Sequence, residues 1–251
     1  MVDIPVVRED SPLVSIITVT YNAEKFLEDA IKSVVNQTYD NIEYIIIDGG
    51  STDSTVDIIK KYQKHIKYWI SEVDNGVYQA MNKGINTSNG SWIMFLGADD
   101  YLINSHTIEN IVNNLSPTLM LAYGDVLYDN GYRFHSRLSG ALLISNSIHH
   151  QGAIYNKKLF NNFKYDESCK VYSDYELNLT IYVHRYESFY MNKVISCCAC
   201  GGLSDTSKYL AKSEIKYIRR KHITTLYSTL LDLIMETALI LAKIKRIVKI
   251  I

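Results

Sequence analysis

At 251 residues and 47% apolar content, the chain is long enough for one large domain or two modest ones and carries ample material for a core. A formal net charge of −1 argues against a general nucleic-acid-binding protein, so no nucleic-acid partner is expected. Four clustered cysteines are too few for a disulfide framework and point to a reduced, cytoplasmic protein, and MVDIPVVRED is too broken by charge and proline for a signal peptide.

After Pro12, LVSIITVT is a β-branched run with the length of a buried strand. NAEKFLEDAIKSVVNQ then sets Phe26, Leu27, Ala30, Ile31, Val34 and Val35 at helical spacing. The alternation continues: IEYIIID predicts a strand, DSTVDIIKKYQKH a helix, IKYWIS a strand, GVYQAMNKGINTS a helix and SWIMFLGADD a strand. This is the rhythm of an α/β unit with a mainly parallel sheet covered on both faces.

Beyond Asp100 the rhythm changes. TIENIVNNL predicts a helix, and LMLAYGDVLYDNGYRFHSRL predicts two strands about an Asn130-Gly131 turn. AIYN adds a strand, SDYELNLTIYVHR a helix and ESFYMNKVISCCAC more strand, so the second half is expected to continue the same sheet with antiparallel strands. Cys197-Cys198-Ala199-Cys200 lacks paired C-x-x-C spacing and a nearby His, and reads as buried strand, not a metal site. From Thr206 two helices remain, TSKYLAKSEIKYIRRKHI and TTLYSTLLDLIMETALILAKIKRIVKII.

In open α/β sheets, ligands collect at the carboxyl ends of the strands. Three predicted ends carry distinctive residues, Thr20-Tyr21-Asn22, Asp48-Gly49-Gly50-Ser51 and Gly97-Ala98-Asp99-Asp100, and they are expected to converge on one cleft. The first turn has no G-x-G-x-x-G, so the dinucleotide fingerprint is absent. A tyrosine beside a threonine and an aspartate suits a single nucleoside: the ring stacks on the base while hydroxyl and carboxylate bond to base or ribose. Gly49 and Gly50 allow close backbone approach. The structural alternative for this segment is a tight turn followed by helix caps from Ser51, Thr52 or Asp53. Asp53 reads as such a cap, whereas Asp48, first beyond the Ile-Ile-Ile strand, reads as a ligand contact.

The stretches VSIITVTYNAEKFLEDAIKSVVNQTYDNIEYIIIDGGSTDST, DNGVYQAMNKGI and GSWIMFLGADD, spanning about residues 12 to 102, closely resemble the family 2 glycosyltransferases, inverting enzymes with the GT-A fold. The resemblance implies a Rossmann-like mixed, mainly parallel sheet flanked by helices, with the C-terminal helices as an extension. It implies that Thr20, Tyr21 and Asp48, with Asn22 and Ala98 alongside, contact a nucleotide sugar, and that Asp99 and Asp100 hold Mn²⁺ or Mg²⁺ on its diphosphate. Carboxylates alone would repel that diphosphate; a divalent cation between them turns repulsion into a clamp. The alternative is that Asp99 and Asp100 merely cap a helix or solvate a loop. Two departures stand out. Gly97 takes the first place of the family's Asp-x-Asp motif, and Met81 and Gln79 stand where relatives carry an arginine and an acid, leaving Lys83 as a partial substitute at the donor.

On the acceptor side, VYSDYELNLTIY resembles the family's Glu-Asp motif, with Ser173 in the glutamate's place, Asp174 as the base and Leu177 following. A base that takes the acceptor's proton is what inverting transfer needs. Ser173 or Asp174 would also serve as a helix cap, and both roles are compatible. In SIHHQGAIY, His150 is expected at the diphosphate or the acceptor, with a structural histidine as the alternative. Tyr123-Gly124-Asp125 resembles a segment lining the donor-sugar pocket.

The expected organisation is residues 1–101 as the nucleotide-sugar-binding half, 102–205 as the acceptor-binding half of the same domain, and 206–251 as basic amphipathic helices. From Lys208 onward ten Lys/Arg face three Asp/Glu, a net of +7, leaving −8 for the rest. The apolar window 226–242 holds Asp232 and Glu236, so it is not read as transmembrane. A helix lying on an anionic membrane surface fits, and with it a peripheral enzyme whose saccharide acceptor is isoprenoid-lipid-linked, as in bacterial polysaccharide or O-antigen assembly. The alternative is a helical hairpin packed on the catalytic domain or on a dimer partner. Two other functions compete: a sugar nucleotidyltransferase, which would need a Gly-rich basic loop where TYNAEK stands, and a non-catalytic nucleotide-sugar-binding or assembly subunit.

Overall fold

The computed structural model describes residues 11–201, 208–234 and 237. The first half runs β1 (Val14–Thr20), α1 (Leu27–Val35), β2 (Ile42–Asp48), α2 (Thr55–Tyr62), β3 (Tyr68–Ser71), α3 (Val77–Thr87) and β4 (Trp92–Gly97), the alternation read from the sequence. The second half adds β5 (Tyr101–Leu102), α4 (Thr107–Val112), β6 (Leu121–Tyr128), β7 (Arg133–Phe134), β8 (Ala153–Asn156), α5 (Ser173–Val183), β9 (Ser188–Cys198) and α6 (Lys208–His222). All nine strands form one sheet in the order β3-β2-β1-β4-β8-β6-β9-β5, with β7 paired to β6.

The β1, β2 and β4 strands pair in parallel and are buried on both faces, which is why they read as unbroken apolar runs. Alternate residues feed two cores. Ile16, Ile46 and Met94 face Leu27, Ile31 and Ile59 of α1 and α2, while Ile17, Ile45 and Phe95 face the side of α3 and α5. The α5 helix is buried almost all round because the sheet covers one side and α6 another.

The Asn130-Gly131 turn links β6 to β7 as expected, with Gly131 at φ +83°. β8 lies antiparallel to β4 and β6, but β9 runs parallel to β6. After β8 the chain climbs back to the carboxyl ends of the parallel strands and descends again through α5, so β9 starts level with β6. Cys197 and Cys198 are buried in β9, but the strand ends there and Cys200 is exposed, so the strand reading holds for only the first half of the run.

α6 packs on the same body as α5. Glu214 accepts the backbone N–H groups of Lys170 (2.6 Å), Val171 (3.0 Å) and Tyr172 (2.8 Å), the three residues leading into α5. Glu176 on α5 in turn pairs with Lys221 and His222, each at 3.1 Å. Arg219, one of the residues behind the expected basic outer face, is buried and donates to Leu143 O and Ser228 Oγ and pairs with Asp232. A further helix covers residues 225–234. Among the described residues no helix is long and apolar enough to cross a membrane. Residues 1–10, Glu236 and the basic positions Lys243, Lys245, Arg246 and Lys249 lie outside the described residues.

Candidate active site

Parallel register sets Thr20 beside Asp48 and Val19 beside Gly97, so the three distinctive strand ends do meet. Thr20 is buried, yet its Oγ1 has no hydrogen-bond partner. An unpartnered buried hydroxyl costs free energy unless something arrives to bond it. Directly after it the Tyr21 ring is 64% exposed, a free stacking face at the mouth of the same strand. Asn22, at φ +48°, accepts Thr52 N–H at its Oδ1 (2.9 Å) and donates its own backbone N–H to Ser51 Oγ (2.7 Å). Its Oδ1 and backbone N–H brace the neighbouring turn, and the residue is exposed.

Asp48 departs from expectation in the same way. It is wholly buried, and its carboxylate accepts from Gly50 N (3.2 Å), Ser51 N (2.9 Å), Ser51 Oγ (2.5 Å) and Ser71 Oγ (2.6 Å). Oδ2 takes three of these bonds and Oδ1 one, from the turn that Asp48 shapes and from Ser71 of β3, with Gly50 at φ +83°. Asp53 accepts Thr55 N and Glu24 N and so shapes the turn before α2, but the N-cap position itself is Ser54 and carries no side-chain cap bond, so Asp53 is structural without being the cap expected of it.

A different carboxylate faces the first two strand ends. Asp74, on the loop between β3 and α3, has a buried Oδ2 without a hydrogen-bond partner, and a Cβ placed on Gly49 would lie 3.6 Å from that oxygen, from Thr20 O and from the Tyr21 ring. Its other oxygen pairs with Lys83, which also binds Glu72 at 2.7 Å. Lys83, expected to serve the donor, is thus spent holding Asp74. Asp74 opens the stretch DNGVYQAMNKGI but carries no expected role there; its position before Gly76 (φ +139°) is the signal the sequence offers. Met81 faces the core, not the cleft.

At the end of β4 the two acids separate. Asp99 is exposed. Asp100 is buried and accepts from Gly97 N (3.1 Å), Gln151 Nε2 (2.9 Å) and Ala199 N (3.3 Å), and neither acid caps a helix. Burial, and then the charge of Asp99, push the Asp100 pKa above the ordinary carboxylate range. Ala98 is buried in an apolar cluster, which leaves only its backbone for a ligand. Among the described residues no group of three or more His, Cys, Asp or Glu side chains could hold a metal unaided. One exposed carboxylate at a strand end nevertheless fits a hard cation whose remaining ligands are phosphate oxygens and water.

The second half of the site is tied to this edge. Gln151, bonded to Asp100, follows His150, whose Nδ1 lies 3.3 Å from Asp174 Oδ2. Asp174 also accepts from Asn146 Nδ2 (2.8 Å) and from the Tyr78 hydroxyl of α3 (3.1 Å). Burial alone would raise its pKa, but the His150 and Tyr78 hydrogen bonds and the imidazole charge outweigh burial and hold it below the ordinary value. Ser173 Oγ accepts Asp166 N at 2.6 Å, and no side chain caps α5, so the capping explanation for this motif does not apply. Asp125 is a structural hub: fully buried, it accepts from Arg133, His135, Ser136 and Tyr190.

The profile of Glycosyl transferase family 2 matches residues 15–175. A PGL/p-HBAD biosynthesis glycosyltransferase of Mycobacterium bovis is 32% identical over 207 residues, covering 78% of this chain and 80% of that protein. An uncharacterized glycosyltransferase of Haemophilus influenzae is 36% identical over 120 residues, covering 47% of this chain and 48% of that protein. In fold, the chain matches S. aureus TarS 1-349 in complex with UDP-GlcNAc with a TM-score of 0.70 and 18% identity, over 87% of this chain and 70% of that one. Another S. aureus TarS 1-349 structure is covered to 64% of its length. The mannosyltransferase PcManGT from Pyrobaculum calidifontis, in complex with GDP-Man and Mn²⁺, matches at 0.61 and 16%, over 85% of this chain and 62% of that one.

Proposed function

The chain belongs to glycosyltransferase family 2, and from that premise we propose that it moves a sugar from a nucleotide sugar, a UDP-sugar, to a hydroxyl of a saccharide acceptor with inversion at the anomeric carbon. Membership of that family sets aside the nucleotidyltransferase and the non-catalytic subunit.

The observation that carries this reading is the seating of an exposed carboxylate, Asp99, and an unpartnered buried hydroxyl, Thr20, at adjacent parallel strand ends, tied through Gln151 and His150 to Asp174. Tyr21 stacks on the base, and Thr20 Oγ1 and Asp74 Oδ2 bond to the nucleoside. Asp48 shapes the turn beneath. Asp99 would hold a Mn²⁺ or Mg²⁺ ion, whose charge would offset that of the diphosphate as it leaves. Asp100 positions this end of β4, and Asp174, held beside His150, takes the acceptor's proton as its oxygen attacks opposite the leaving diphosphate. The UDP-GlcNAc complex of TarS and the GDP-Man, Mn²⁺ complex of PcManGT support donor class and cation on the shared fold.

The acceptor is proposed to be isoprenoid-lipid-linked, in bacterial polysaccharide or O-antigen biosynthesis at the cytoplasmic membrane face. Leu226, Leu230 and Leu233 are exposed at helical spacing over residues 225–234, and four basic residues follow between 243 and 249. The test is release of nucleoside diphosphate from UDP-, GDP- and dTDP-sugars with Mn²⁺ or Mg²⁺ and a saccharide acceptor, comparing wild type with Asp99→Asn and Asp174→Asn. Wild-type activity in both variants would overturn the site. Binding to anionic liposomes is tested with Leu226, Leu230 and Leu233 changed to serine, which leaves α6 in place; unchanged binding would remove the membrane proposal.

A further inference from the structure

We infer that a cavity on the far side of α5 from Asp174 is a second binding site, built for a phosphate ester whose other end is apolar. It stands apart from the donor cleft, and the case for it does not depend on the transferase reading.

The cavity, of about 540 Å³, lies between the turn after β8, α5 and the last turn of α6. Small-molecule sites run from about 300 to 1,000 Å³. Strand pairing puts this one at the edge of the sheet opposite the catalytic edge. Met120 and Tyr186 of its wall stand just ahead of β6 and β9, and Lys158 follows β8, whose Asn156 pairs with Trp92, the first residue of β4. Thr20, Asp48 and Gly97 end their strands at the other edge. Glu176 lines the cavity, whereas Asp174, two residues earlier and so on the opposite side of the helix, is bonded to Tyr78.

The lining acids are already supplied with donors. Asp166 accepts from Ser168 N (3.0 Å), Ser168 Oγ (2.6 Å), the Tyr217 hydroxyl (3.0 Å) and Lys221 Nζ (2.7 Å). Glu176 accepts from Lys221 and His222, each at 3.1 Å. The other two lysines of the lining have no such match. Lys158 and Lys164 are exposed, and neither has an ion-pair partner among the described residues. Three lysines against two acids leave the lining at +1 with both of its histidines neutral, and the unmatched positive charge sits on these two ammonium groups.

Two ammonium groups from separate positions suit a phosphate, which offers three acceptor oxygens, better than a carboxylate, which offers two in one plane. Beside them the wall is apolar: Met120, Leu159 and Phe163, with Tyr186 stacked on His184 at 5.6 Å between centroids and 23° between planes. Inorganic phosphate would leave that wall unused. Two sources carry the required chemistry, a lipid phosphate and a nucleotide whose base lies on the aromatic pair. The lipid source is favoured, because the helix over residues 225–234 starts three residues past His222 of the cavity wall and exposes Leu226, Leu230 and Leu233.

The experiment is calorimetric titration of the full chain with hexyl phosphate, UMP, inorganic phosphate and hexanoate. Wild type is compared with the double variants Lys158→Ala/Lys164→Ala and Lys158→Glu/Lys164→Glu, whose melting temperatures report that these exposed changes leave the fold intact. Hexyl phosphate is expected to bind wild type at least about tenfold more tightly than inorganic phosphate or hexanoate, to lose about tenfold or more in the alanine pair, and not to bind the glutamate pair. UMP also enters the donor cleft, so only the lysine-sensitive part of its binding counts. If UMP rather than hexyl phosphate loses affinity in the lysine variants, the site stands and the nucleotide is its source. The inference is overturned if neither hexyl phosphate nor UMP shows lysine-sensitive binding, or if inorganic phosphate or hexanoate binds as tightly as both. None of these readouts uses turnover, so a failed transferase assay and a failed cavity titration remain separate results.

Discussion

The carboxylate of Asp100 folds back beneath Gly97, accepting its N–H at 3.1 Å, and fills the volume that a side chain at position 97 would need. A Cβ on Gly97 would overlap Asp100 Oδ2 and stand 3.0 Å from Asp99 Oδ1. The missing first acid of the family's Asp-x-Asp pattern is therefore accompanied by a divided acidic pair: Asp100 turns inward to Gln151 and Ala199, and Asp99 alone faces outward.

Restoring the acid should fail for that reason. Gly97→Asp is expected to cost about 1–3 kcal/mol through overpacking and like charge, and to lower the melting temperature by roughly 2–4 °C per kcal/mol. It should not tighten Mn²⁺ binding. Calorimetric melting together with Mn²⁺ titration checks both, and a Gly97→Asp variant that is as stable as wild type and binds Mn²⁺ more tightly would show that the two positions are independent.

Thr20→Val should separate stability from binding. Valine keeps the shape and removes a buried hydroxyl that has no partner. The free protein is expected to gain about 1 kcal/mol, while UDP affinity falls about tenfold because the awaited hydrogen bond is gone. Melting with and without UDP reads both effects; a destabilised variant with intact affinity contradicts the role given to Thr20.

Tyr78→Phe removes one of the three donors to Asp174. A hydrogen bond to a charged group contributes about 1.5–3 kcal/mol, so kcat/KM should fall by about tenfold or more. The sign for pH follows from the Asp174 pKa, which this bond helps to lower. Without it that pKa rises, so activity that needs the ionised carboxylate is lost at higher pH than in wild type. A pH–rate profile whose acidic limb does not move would refute this.

Asp125→Asn addresses stability alone. Burial works to raise the Asp125 pKa, but bonds from Tyr190, Arg133, His135 and Ser136 prevail and hold it below 3.8, its ordinary value. A lowered carboxylate pKa stabilises the fold fully above the ordinary value and ceases to do so as pH falls through the folded value. The variant should be about 1–3 kcal/mol less stable than wild type at pH 7, with the gap closing below pH 3.8. Denaturant melts at both ends of that range measure it; a gap independent of pH would count against the ionised hub.

The parallel core was legible because strands such as Ile42–Asp48, buried on both faces, have to be continuously apolar, and because Asn130-Gly131 permits few turns other than a hairpin. The meeting of the strand ends at Thr20, Asp48 and Gly97 was legible too. What was not legible is which aspartates are already satisfied. Asp48, Asp99 and Asp100 at strand ends and Asp125 within β6 are one residue type, and only donors from distant segments, Ser71, Gln151 or Tyr190, decide which of them face a ligand. Asp74 escaped notice for the same reason, since its meaning comes from Gly49 and Lys83 across the fold. The burial of Arg219 could not be foreseen from charge spacing, because its partner Asp232 lies on the next helix.

The grip of Glu214 on the three amides that lead into α5 has a practical side. Any pull on α6 is delivered straight to the rigid block that seats Asp174. Fixing the protein to a bead, a chip or a fusion partner through its carboxyl end would therefore load the chemistry, so rates measured on such an anchored form would report tension as well as turnover.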